Sequence, residues 1–209
     1  MKLSKKVIIP VGFSLLLVVA RMIITQELTY VFIAWNLFLA WLPFVFSHQL
    51  ETATKKWKGF MFLFLWLLFL PNAPYIITDL QHLKHRPPVP YWYDILLLFS
   101  AALNGLLLGV ASLLKVERFL YDHYSRRTTG IVILCSFFLC AFGIYLGRYL
   151  RWNSWDILVD PLGLASDIKI RVLNPFDHFS TWSVTFMFGL FLYVIYFSVK
   201  NFINKSNQL

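Results

Sequence analysis

Charge is scarce in this sequence. Only 14% of its 209 residues are Asp, Glu, Lys or Arg, against about 25% in a soluble domain. With 59% hydrophobic residues, the chain has too little polar surface to cover a water-facing globule. The two cysteines, Cys135 and Cys140, leave no disulfide framework. Five positions apart on a helix, they stand about 140° from each other, so two packing residues are expected instead. No Gly/Ser linker, charge block, low-complexity tract or evident repeat divides the chain, which reads as a single domain over residues 1–209. A G-x-S-x-G elbow, a Walker loop, H-E-x-x-H and C-x-x-C are all missing, so no familiar soluble-type active site is declared.

What the chain has in quantity is apolar length. Six runs approach or reach the roughly 17–25 residues needed to cross a hydrocarbon core, near 7–24, 30–46, 59–77, 95–114, 130–147 and 183–199. The expected fold is all-α: a polytopic transmembrane bundle of about six spans with both termini cytoplasmic. Lys2, Lys5 and Lys6 before the first run resemble a signal peptide, but the run continues past Ala20 with no small-x-small site, which reads as an uncleaved first helix. Arg21 lies within that run and is expected to snorkel outward.

Basic residues set the orientation. With the N-terminus inside, the inner segments hold twelve Lys and Arg against Glu51, Glu117 and Asp122. The outer segments hold Arg21, Lys84, Arg86, Arg148, Arg151, Lys169 and Arg171, matched by seven acids. The whole excess of +9 therefore falls on one side. That is a membrane-orientation signal, with attraction to membrane lipids as its consequence, and a nucleic-acid partner is not required. Gly105 and Gly109 in the fourth run, and Gly143 and Gly147 in the fifth, give small-residue faces through which helices, or copies of the chain, could associate. Asn36 and Asn104 lie deep in their runs and should face protein.

The third run ends in Leu70-Pro71-Asn72-Ala73-Pro74-Tyr75-Ile76-Ile77-Thr78-Asp79-Leu80-Gln81-His82-Leu83. Two prolines three apart release the carbonyls of Leu67 and Leu70. Gly59 to Leu70 covers only about 18 Å, so the break falls at membrane depth and must be buried in protein or line a wet vestibule. Asn72, Tyr75, Thr78 and Asp79 supply polar groups there. Asp79, His82 and His85 follow at intervals of three. Asp79 and His82 are the candidate acid/base pair, and His82, His85 and His178 are weak candidate ligands for zinc or manganese; the spacing alone indicates no cofactor.

A second motif, Arg148-Tyr149-Leu150-Arg151-Trp152-Asn153-Ser154-Trp155-Asp156, opens the outer segment 148–182. Arginine forks suit phosphate or carboxylate, and indoles suit a headgroup layer or a sugar face; an aromatic belt with snorkelling arginines is the plainer account. Further on, Ile168, Ile170 and Val172 alternate with Lys169 and Arg171, which reads as a strand or as a stretch lying on the membrane.

The Pro-Asn-Ala-Pro-Tyr string at 71–75 and the Arg-Trp-Asn-Ser-Trp-Asp string at 151–156, with Ala34-Trp35-Asn36-Leu37-Phe38-Leu39-Ala40-Trp41-Leu42-Pro43, resemble the membrane-protein family called domain of unknown function 1361, over nearly the whole chain. The resemblance implies a multi-pass protein of a bacterial cytoplasmic membrane and brings no catalytic residues with it. Three functional readings follow. The first is a binding or permease-like protein holding an anionic amphiphile, such as a lipid phosphate or lipid-linked envelope precursor, in an outward vestibule. Its ligand-binding candidates are Asn72, Tyr75, Asp79, Arg148, Arg151, Trp152, Asn153, Trp155 and Asp156. The second is a membrane-embedded hydrolase or transferase acting at the outer membrane face, with Asp79 and His82 as acid/base groups or as metal ligands. The third is a membrane scaffold or partner subunit.

Overall fold

In the computed structural model, which describes residues 5–206, the described backbone is helical without strands. Nine α-helices follow in order: α1 (Lys5–Thr25), α2 (Phe32–Glu51), α3 (Lys56–Phe69), α4 (Asn72–Tyr75), α5 (Tyr91–His123), α6 (Arg126–Tyr149), α7 (Asp156–Val159), α8 (Pro161–Leu173) and α9 (Phe179–Ser206), with a 3-10 helix at Ile76–His82 between α4 and α5. Lys2, and the side chains of Lys5 and Lys6, which entered the orientation count, lie outside the described residues.

Among the described residues, five segments are long and apolar enough to cross a membrane: Ile8–Thr25, Lys56–His82, Tyr91–His123, Arg126–Tyr149 and Phe179–Ile203. The expected sixth, α2, has 20 residues. It carries Asn36, Pro43, His48 and Gln49 and is not among the five. Many of the exposed side chains are large and apolar, including Leu16, Ile23, Phe60, Phe64, Leu107, Ile131, Phe186 and Leu190. Outward-facing stripes of this kind suit lipid rather than water.

The chain forms two compact units, Met1–Ser112 and Leu113–Leu209, whose boundary falls inside the continuous helix α5. At 33 residues, α5 is about 50 Å long at 1.5 Å per residue. It extends well beyond the expected span of 95–114, and its last turns carry Lys115, Glu117, Arg118 and Asp122.

In the first unit, α2 packs on α3, on α4 and on the 3-10 helix. Its buried positions Ile33, Leu37, Ala40, Ser47 and Leu50 form a stripe at helical spacing. The break after α3 is real, and several of its polar groups find local partners. The N–H of Ala73 donates to the Leu70 carbonyl at 3.2 Å, so the carbonyl that Pro74 would strand has a partner. Asn72 Nδ2 donates to the Phe69 carbonyl at 3.0 Å, and Thr78 Oγ1 to the Tyr75 carbonyl at 2.6 Å. The fragment then lies on the small face of α5. A Cβ on Gly105 would overlap the Ala73 carbonyl oxygen, and one on Gly109 would sit 3.2 Å from the Ala73 Cβ. This glycine stripe is therefore taken up within the chain.

In the second unit, α6 runs against α9 through a stripe that includes Thr129, Ile133, Ser136, Phe137, Cys140, Ile144 and Tyr145. Cys135 is an exposed and Cys140 a buried free thiol. Glu117 is buried and takes Lys200 Nζ at 2.7 Å.

The strand expected at 168–172 is overturned, because this stretch is α8. The carboxylate of Asp160 caps the helix by accepting from the Gly163 N–H at 2.9 Å, and Pro161 occupies its first turn. The apparent alternation also conceals an i,i+4 pair, Asp167–Arg171 at 2.9 Å.

Candidate functional site

The first unit holds two buried polar centres, and of the candidate residues Asp79 lies in the first. At the first, Asp79 is 1% exposed, and Asn36 Nδ2 donates to its Oδ2 at 2.7 Å. An amide deep in α2 thus meets a carboxylate on the 3-10 helix, as the position of Asn36 requires. His82, three residues on, is exposed. Its ring meets the edge of Phe32 at 5.2 Å, and its backbone carbonyl accepts from Tyr30 OH at 3.2 Å. His85 is also exposed and lies 6.3 Å from the ring of Tyr91. Among the described residues, no three His, Cys, Asp or Glu side chains gather closely enough to hold a metal ion. Asn72 and Thr78 turn back onto their own backbone, as described above.

At the second centre, Arg21 does not snorkel. It is 1% exposed and forms a two-point pair with Asp94, Nε to Oδ1 at 2.7 Å and Nη2 to Oδ2 at 3.2 Å. The reason is packing: position 21 falls on the same helical face as Ser14, which with Asn104 and Ser100 forms a polar seam between α1 and α5. Asn104 Nδ2 reaches both Ser14 Oγ and the Pro10 carbonyl at 2.8 Å. Tyr93 OH donates to the Leu17 carbonyl at 2.8 Å. The only hint of the Arg21–Asp94 pair in the sequence is a cation inside one apolar run and an acid at the start of another.

In the second unit, the Arg/Trp collar is a folded turn. Helix α6 ends as Arg151 adopts a left-handed conformation, with φ 64°. The Trp152 N–H then closes onto the Leu146 carbonyl at 3.1 Å. Asp156 Oδ2 accepts from the Asn153 N–H at 2.6 Å and lies 3.2 Å from Asn153 Nδ2, which fixes the next turn. Trp152 Nε1 donates to Asp167 Oδ2 at 2.8 Å, and Arg171 Nη1 grips the carboxylate and backbone carbonyl of the same Asp167. The Arg171 carbonyl in turn accepts from Trp182 Nε1 at 3.2 Å. Trp152, Asn153 and Asp156 therefore tie the collar down. Arg151 and Lys169 are exposed, and neither pairs with an acid among the described residues. Arg148 is half-buried and Trp155 is 37% exposed. His178 is half-buried, and its backbone carbonyl accepts from the Thr181 N–H. Asp167, which the collar is built around, carries no signal in the sequence beyond its spacing to Arg171.

Against this network lies an apolar groove of about 560 Å³, lined by Phe138, Leu139 and Phe142 of α6, Ile168 and Val172 of α8, and Trp182, Thr185 and Phe186 of α9. Its volume falls inside the roughly 300–1,000 Å³ range of small-molecule sites. Thr185 is 4% exposed, and its Oγ1 makes no hydrogen bond to protein.

Long apolar helices, exposed apolar stripes and polar groups gathered inside define a multi-span α-helical membrane protein. Residues 35–195 match the family described as "Protein of unknown function (DUF1361)", and the chain belongs to that family. No curated protein and no solved structure matches it.

Proposed function

We propose that the protein binds an anionic amphiphile at the end of the second unit where α6 gives way to α8, a face that the charge asymmetry of the sequence assigns to the outside. The observation that carries this reading is the Trp152–Asp167 hydrogen bond. Arg151 adjoins Trp152, and Ile168, a wall of the groove, adjoins Asp167. One bond thus ties the turn that carries Arg151 to the helix that walls the apolar groove. The groove takes the acyl part, Thr185 Oγ1 meets an ester or hydroxyl along it, and Arg151 with Lys169 holds the anion. A left-handed arginine supports the same reading, because that conformation costs about 1–2 kcal/mol that glycine would avoid. Strain of this kind persists where a side chain is needed.

Selectivity has to reside in the headgroup. An acyl chain leaving bilayer for an apolar groove gains little, since lipid tails are as apolar as the wall. The test is purification in native-lipid nanodiscs with lipid mass spectrometry, comparing wild type with Arg151→Gly/Lys169→Gln. The wild type should be enriched in anionic lipid over the bulk membrane. The variant should lose about tenfold of that enrichment while unfolding no earlier, because glycine suits φ 64°. Bulk-like lipid around the wild type, or equal enrichment in the variant, overturns the reading and leaves the collar a structural clasp.

A further inference from the structure

We propose that Arg21 and Arg86, held against the ring of Tyr30 in the first unit, form a binding site for a phosphate-type oxyanion. Tyr30 is 2% exposed, and its hydroxyl is fixed by donation to the His82 carbonyl. The guanidinium carbon of Arg21 lies 4.7 Å from the ring centroid and that of Arg86 5.8 Å, so two cations share one aromatic platform. Among the described residues, only Arg21 of the two has a counter-ion. Asp94 occupies its Nε and Nη2, while Nη1 is buried and meets no protein acceptor. Nε of Arg86 is buried in the same state. Glu27 is exposed, accepts a hydrogen bond from Thr29 Oγ1, and pairs with neither arginine.

The arrangement carries one positive charge more than Asp94 balances, together with guanidinium donors turned away from water. Desolvated donors of this kind are costly unless an acceptor meets them. The planar fork of arginine matches the tetrahedral edge of a phosphate, and a phosphate or phosphodiester monoanion would satisfy both charge and donors. Phosphate as a solute and phosphate in a lipid headgroup present the same oxygens.

Two arms separate those sources. In the first, inorganic phosphate is titrated into the protein in maltoside micelles, which carry no phosphate, against chloride at equal ionic strength, and thermal unfolding is followed. In the second, phosphatidylglycerol is added to the same micelles with no inorganic phosphate. Each arm is run with wild type, Arg86→Gln, Arg86→Lys and the neighbouring control Lys84→Gln. The wild-type midpoint should rise with ligand concentration, as linkage requires. Arg86→Gln should weaken the apparent affinity about tenfold or more, Arg86→Lys should fall between, since it keeps the charge and loses the fork, and Lys84→Gln should follow wild type. A response to phosphate alone assigns a solute, and a response to phosphatidylglycerol alone assigns a headgroup. No shift in either arm, or an Arg86→Gln protein that responds like wild type, overturns the proposal. Arg86→Lys preserves the readout if Arg86→Gln does not fold.

Discussion

Replacing Asp94 by Asn while keeping Arg21 should destabilise the protein by roughly 3–5 kcal/mol, because a guanidinium that is 1% exposed would lose its counter-charge and stay buried. The two contacts, at 2.7 Å and 3.2 Å, are short and parallel. At an effective dielectric near 20, an ion pair at about 4 Å is worth about 4 kcal/mol. Nothing nearby can take over, since Tyr30 offers only its ring face and Nη1 already lacks a protein acceptor. The paired replacement Arg21→Met/Asp94→Leu removes both charges and keeps apolar volume, and should be no less stable than wild type. The cycle completed by the single changes Arg21→Met and Asp94→Leu should therefore show a coupling of at least about 3 kcal/mol. Reversible unfolding in mixed micelles, followed by the fluorescence of the eight tryptophans, measures the four proteins of the cycle and Asp94→Asn beside them. Single substitutions that each cost less than about 1 kcal/mol, the value of an exposed pair, would refute the reasoning. They would mean that Arg21 reaches water at the membrane surface.

Three further outcomes are expected. Gly105→Ala should cost roughly 1–3 kcal/mol by the same assay, because the new methyl meets the backbone of Ala73, whereas Gly12→Ala, with open space around it, should cost nothing. Asp160→Ala should cost about 1 kcal/mol through the lost cap on Gly163 and raise amide exchange in the first turn of α8, and unchanged exchange there would count against the cap. In a background lacking Cys135 and Cys140, His85→Cys and Lys169→Cys should each react with a membrane-impermeant maleimide added outside; labelling only from the cytoplasmic side would reverse the orientation.

Much of the fold was legible because bilayer thickness imposes one length on every span. Apolar runs of about the right size mark five candidate crossings, and prolines three apart mark a break whatever surrounds them. The all-helical class and the family were readable for the same reason, since hydropathy and the strings at 71–75 and 151–156 are local properties. The sixth crossing stands apart because α2 sets a half-buried Asn36 against Asp79, and a residue chosen for that contact lowers the hydropathy of its own helix.

What local pattern could not carry was partnership. Residues 168–172 alternate like a strand, but the Asp160 cap and the Asp167–Arg171 pair, whose energies act across one helical turn, make them a helix. Arg21 resembles a snorkelling anchor until α5 places Asp94 within 2.7 Å of it. Gly105 and Gly109 resemble an oligomer face until Ala73 fills it. The sequence by itself determined which residues could tolerate lipid and where the backbone had to break. Which buried charge meets which counter-charge was settled by packing, because those contacts join residues as many as 83 positions apart and depend on how helices pack rather than on what any one of them contains.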